Sequence, residues 1–263
     1  MNSKLKKYIL IVFSIIIFAL LLFFELGREN LFAKLEYGDA IYSILTRMIG
    51  GLVCLIFIYC YSIKEVLTPK TTLKKLIVFL PCMVIAVNNF PFVSYFSGDS
   101  FIDKNATEII LYAITCISVG FFEEMAFRGC IFTVVVHSQE NRRFGAIISI
   151  FISSAVFGLV HILNLFGGAG FIPVILQIGY SFLIGGMCSV ILLKTRNIWY
   201  CVFLHSVYNF AGGITSGDMW TPSQIVFTAV VAVIIATYVI WTLVKITPND
   251  ISVFLRGEDS ADT

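Results

Sequence analysis

Charge is scarce in this sequence. Only 13% of its 263 residues are Asp, Glu, Lys or Arg, while 59% are hydrophobic, and the mean hydropathy is +0.94. A soluble domain carries about 25% charged residues, so an ordinary soluble fold is excluded and a polytopic membrane protein is left. The net charge of +2 does not point to nucleic acid, because the basic residues fall at helix ends instead of forming a patch, and no nucleic-acid partner is expected. The seven cysteines (54, 60, 82, 116, 130, 188 and 201) form no CxxC pair, and their odd number argues against a closed disulfide framework. They read as small apolar packing residues. The compact zinc signature HExxH is missing as well. No fixed-period repeat, low-complexity tract or soluble segment interrupts the chain, so residues 1–263 read as a single membrane domain.

A cleavage site is missing too. The apolar run Tyr8–Phe24 follows Lys4, Lys6 and Lys7. It is longer than the roughly 7–15 residues of a signal peptide and lacks an A-x-A-like end. It reads as a retained first span.

Further apolar stretches cover about Ile41–Ser62, Leu76–Phe92, Glu108–Val136, Phe144–Phe166, Phe171–Leu193, Ile198–Gly213 and Gln224–Val244. A span takes about 20 residues, so the expectation is an all-α bundle of about eight transmembrane helices. With the N-terminus inside, thirteen Lys and Arg fall in inner segments, against Arg28, Lys34 and Lys104 outside. Arg47 and Arg128 lie within spans. The asymmetry follows the positive-inside rule and predicts two cytoplasmic termini. The tail Pro248–Thr263 reads as solvated and mobile.

Against this background a few polar residues need a reason. Phe121–Cys130 (FFEEMAFRGC) places Glu123, Glu124 and Arg128 at membrane depth. Glu124 and Arg128 are four apart and can pair on one helix face. Glu123 projects about 100° away and has no partner in its own helix. Each such charge costs roughly 2.5–3.5 kcal/mol at a helix centre, so the three must face a protein interior or a wet cavity. An ion pair locking two helices would explain Glu124 and Arg128 but not Glu123. His161 lies four residues after Phe157 and three before Asn164, and His205 lies four before Asn209. The third histidine, His137, ends its span beside Ser138 and reads as interfacial. A glutamate with a histidine can activate water as a general base. A second histidine and an asparagine can donate to a developing oxyanion. Together these residues predict a polar cavity inside the bundle.

The ordered set EExxxR (Glu123, Glu124, Arg128), FxxxH (Phe157, His161) and HxxxN (His205, Asn209) resembles the CAAX protease and bacteriocin-processing enzyme family, also called the Abi family. Gly129, directly after the arginine, fits its bacterial form. The resemblance covers about residues 119–213, the catalytic core of that family. It implies an intramembrane endopeptidase in which Glu123 with His161 activates water, His205 with Asn209 forms the oxyanion hole, and Glu124 with Arg128 orients and neutralises the site. It implies peptide or membrane-protein substrates within a lipid bilayer, in roles such as peptide maturation or bacteriocin self-immunity, in a bacterial cell membrane. No cofactor is expected. The alternative is a zinc enzyme, since Glu123, His161 and His205 could supply the three ligands of a catalytic zinc. A transporter with a carboxylate–histidine relay and a non-catalytic immunity scaffold are the rival classes.

Overall fold

A chain crossing lipid must satisfy its backbone hydrogen bonds internally, and helices do so within one segment. In the computed structural model, residues 34–61, 64–68, 72–140 and 142–256 are described, together with positions 12, 16, 19 and 32. The expected span Tyr8–Phe24 lies outside the described residues apart from positions 12, 16 and 19. The other seven expected stretches are all helical. They comprise α1 (Gly38–Tyr61), α2 (Leu73–Asn88), the run α4 (Ala106–Glu124), a π-helix (Met125–Phe132) and α5 (Thr133–Ser138), then α6 (Gly145–Val160), α7 (Phe171–Thr195), α8 (Ile198–Gly213) and α9 (Pro222–Val244), with a short α3 (Phe92–Ser97) after α2. Among the described residues, five segments are long and apolar enough to cross a membrane: 38–60, 106–138, 145–165, 171–195 and 222–244. The protein is an all-α polytopic membrane protein.

The helix ends follow local chemistry. Asn105 caps α4 by accepting from the Glu108 amide, and Glu108 accepts from the Asn105 amide in return, a reciprocal capping box. The third stretch does not continue to Phe92 as expected. Its helix stops at Asn88 and a separate short turn begins at Phe92, because Pro91 disfavours helical backbone at the residue before it. Pro81 sits inside α2 and cannot donate to the Ile77 carbonyl. The Tyr238 hydroxyl of α9 donates to that oxygen instead, at 2.9 Å.

Helix α8 has only 16 residues, about 24 Å, and packs against α2, α4 and α7. Two side chains brace its C-terminal half. Asn89 Nδ2 donates to the Tyr208 carbonyl at 2.8 Å, and the Tyr112 hydroxyl donates to the Asn209 carbonyl at 2.9 Å. Antiparallel strands β1 (Ser100–Phe101) and β2 (Ser216–Gly217) tie the segment before α4 to the segment after α8. Six of the seven cysteines are buried, Cys60 is exposed, and all are free, consistent with packing roles.

The tail corrects an expectation. Instead of being solvated, Pro248–Arg256 forms helix α10. Ile251 and Phe254, three apart on one face, are buried, and Phe254 packs on Phe132 at a centroid distance of 5.9 Å. Asp250 accepts from Lys194 at 2.7 Å, and the Arg196 side chain donates to the Phe254 carbonyl at 3.1 Å. The apolar pair Ile251/Phe254 supplies the docking face that a purely acidic tail would lack. Residues 257–263 lie outside the described residues.

Candidate active site

The helix carrying the two glutamates changes its winding directly after them. Residues Met125–Phe132 form a π-helix, a rare geometry that is frequent at functional sites. Glu124 Oε2 and Arg128 Nε lie 3.2 Å apart, with both side chains fully buried. The Arg128 guanidinium carbon also stands over the Phe157 ring, 4.2 Å from its centroid, a cation–π contact. Gly185 of α7 makes room for it, since a Cβ there would fall 2.8 Å from an Arg128 nitrogen.

Phe157 is therefore the hub of the site. Its ring also meets His161 edge-on at 5.3 Å and His205 at 5.8 Å between centroids. Helix α6 ends at Val160, and His161–Leu165 tightens into a 3₁₀ turn. His161 Nδ1 lies 2.9 Å from the Phe157 carbonyl. A carbonyl oxygen can only accept, so Nδ1 carries the proton. In the neutral ring, Nε2 then keeps its lone pair, 3.5 Å from Ser181 Oγ.

His205 lies between the two glutamates. Its Nδ1 is 2.8 Å from Glu124 Oε1 and its Nε2 is 3.6 Å from Glu123 Oε2. The carboxylates are not equivalent. The Glu123 side chain is 16% exposed and Glu124 is 0% exposed.

Glu123, His161, His205 and Asn209 all line one cavity of about 100 Å³. They come from α4, the turn after α6, and α8. Glu124 and Arg128 do not reach this cavity; they stand behind it and hold His205 from the rear. Glu123 and His161 share the cavity wall, but among the described residues no hydrogen bond joins them, and the near partner of Glu123 is His205. His137 sits exposed at the end of α5, outside the cavity lining.

Helix α7 supplies a wall that the sequence reading passed over: Gln177, Tyr180, Ser181 and Ile184. The signal was present, because Gln177, Tyr180 and Ser181 fall at i, i+3 and i+4 within an apolar run and so share a helix face. Asn164 Nδ2 donates to Gln177 Oε1 at 2.7 Å, which ties the His161 turn to this wall.

The zinc alternative names Glu123, His161 and His205 as ligands. Among the described residues, the only group of three potential ligands lying mutually within 4.8 Å is Glu124, Cys188 and Cys201, not Glu123, His161 and His205. One His161 nitrogen already faces the Phe157 carbonyl. The Glu124 group has the Arg128 cation 3.2 Å from its carboxylate, where a metal ion would be repelled.

Residues 105–211 match the family model of the Type II CAAX prenyl endopeptidase, Rce1-like. The match covers about two-fifths of the chain, from the cap of α4 to the Asn209 turn of α8, and so includes every residue of the cavity described above. The family supports a protease embedded in a membrane. No curated protein and no solved structure matches the chain significantly.

Proposed function

We propose that the protein is a metal-independent intramembrane endopeptidase with Glu123 as its general base. One observation carries the reading: Glu123, His161, His205 and Asn209, from three separate helices, line a single cavity. A water held between Glu123 and the His161 Nε2 lone pair attacks the scissile carbonyl carbon and gives its proton to Glu123. The electrons displaced onto the carbonyl oxygen are met by the Asn209 amide and by His205. With Glu124 ionised opposite Arg128, His205 Nδ1 donates rearward, and a protonated ring offers Nε2–H to the oxyanion. The charges of Glu123, Glu124, Arg128 and His205 then sum to zero, which suits a buried site. Collapse of the intermediate breaks the C–N bond, and the leaving amine takes the proton that Glu123 received.

The substrates are peptides or membrane proteins of a bacterial cell, cleaved during peptide maturation or bacteriocin self-immunity. Both termini face the cytoplasm, which the thirteen-to-three basic asymmetry supports. The test is cleavage of a candidate peptide by purified protein, wild type against Glu123→Ala, with and without EDTA or phenanthroline. Wild-type turnover should survive both chelators and vanish in the variant. Loss of activity on chelation, restored by zinc, would overturn the metal-independent mechanism.

A further inference from the structure

The cavity has a polar group that the proposed chemistry leaves unused. Gln177 lines it from α7. Its Oε1 accepts from Asn164 Nδ2 at 2.7 Å. That bond fixes the amide plane and leaves both Nε2 protons without a partner among the described residues. Asn164 is itself held by the turn, where its carbonyl accepts from the Ala169 amide at 3.0 Å. The cavity of about 100 Å³ has room for a peptide unit.

We infer that Gln177 is a substrate-binding residue whose Nε2–H donates to a main-chain carbonyl flanking the scissile bond, with Asn164 positioning it. The inference rests on the peptidase reading and deepens it. Recognition here goes to the backbone of an extended peptide, so it tolerates different side chains at that position. It also explains why the His161 turn is tied to α7: the bond that orients the donor also fixes the distance from the donor to the water-activating histidine.

The test uses an internally quenched peptide that the wild type cleaves, together with ester-substituted versions in which one backbone carbonyl near the cleavage point becomes a weaker acceptor. Gln177→Glu keeps an oxygen for Asn164 to donate to but loses the Nε2 protons. It should raise KM about tenfold with little change in kcat, the pattern of lost ground-state binding, at unchanged thermal stability. Gln177→Ala loses the same donor and should raise KM likewise, and because it also frees the Asn164 side chain of the His161 turn, its kcat should fall as well. One ester position should raise KM in the wild type and add nothing in Gln177→Ala, a coupling that a structural role would not produce. An unchanged KM in both variants, or ester effects equal in wild type and Gln177→Ala, overturns the inference. Two controls separate the levels: no cleavage of any peptide by the wild type removes the peptidase reading itself, and turnover surviving in Glu123→Gln removes Glu123 as its base, whereas turnover lost in Glu123→Gln with Gln177 variants unaffected removes only the role of Gln177.

Discussion

At the scale of single residues, Glu123 and Glu124 are chain neighbours with different work. Helical geometry turns them about 100° apart, so Glu124 meets Arg128 in the interior while Glu123 reaches the cavity. That division was legible in the sequence from the unpaired glutamate alone. The position of His205 between both carboxylates was not, because it depends on how α8 lies against α4. Removing Arg128 leaves the Glu124 carboxylate buried and uncompensated, which costs about 3–5 kcal/mol in comparable pairs. Arg128→Ala should therefore lower the thermal unfolding midpoint sharply in detergent. Gly185→Ala should destabilise by about 1–3 kcal/mol, as overpacked cores do, since its Cβ would press on the guanidinium at 2.8 Å. A Gly185→Ala protein as stable as the wild type would show that Arg128 can move aside. Asn209→Ala removes one oxyanion donor and should reduce kcat by about 10²–10³, leaving measurable cleavage.

At the scale of elements, helix positions were readable from apolar runs, and their interruptions were not. The π-helix at Met125–Phe132 and the 3₁₀ turn at His161–Leu165 carry site residues, yet neither alters the hydrophobic pattern that sequence reading depends on. Helix α10 was misread for a related reason. Its polar composition hides a two-residue apolar face whose partner, Phe132, is more than a hundred positions away. Burial pushes the Asp250 carboxyl up, but hydrogen bonds from Lys194 and Thr247 outweigh it and hold the group below its ordinary value. A lowered carboxylate contributes stability above its unfolded value and loses it as pH falls through the folded one. Docking of α10 should therefore persist through mildly acid pH and weaken only below the ordinary aspartate range, near 3.9. Hydrogen exchange of the α10 amides against pH measures this, and Asp250→Asn should flatten the dependence. Loss of protection already at pH 5 would contradict it.

At the scale of the whole molecule, low charge and long apolar runs identified the class, and three short motifs drew attention to residues 119–213, a stretch that the family match over 105–211 largely overlaps. Their convergence could not be read from spacing, since it needs α4, the α6 turn and α8 to approach one another through packing. The arrangement of the spans across the bilayer yields a further expectation. Cysteine labelling from either side of the membrane, in a variant lacking the native thiols, should place residues near both chain ends on the cytoplasmic face. Termini on opposite faces would contradict the span count of eight.

The proposed mechanism depends on proton abstraction at Glu123. Glutamine at that position has nearly the same size and still occupies the wall beside His205, but it cannot accept the proton of water. The decisive measurement is cleavage of one peptide by purified Glu123→Gln and wild-type protein under single-turnover conditions, with unfolding midpoints recorded in the same detergent. Matching midpoints and no detectable cleavage by the variant are the expected result. Full cleavage by a folded Glu123→Gln protein would contradict it.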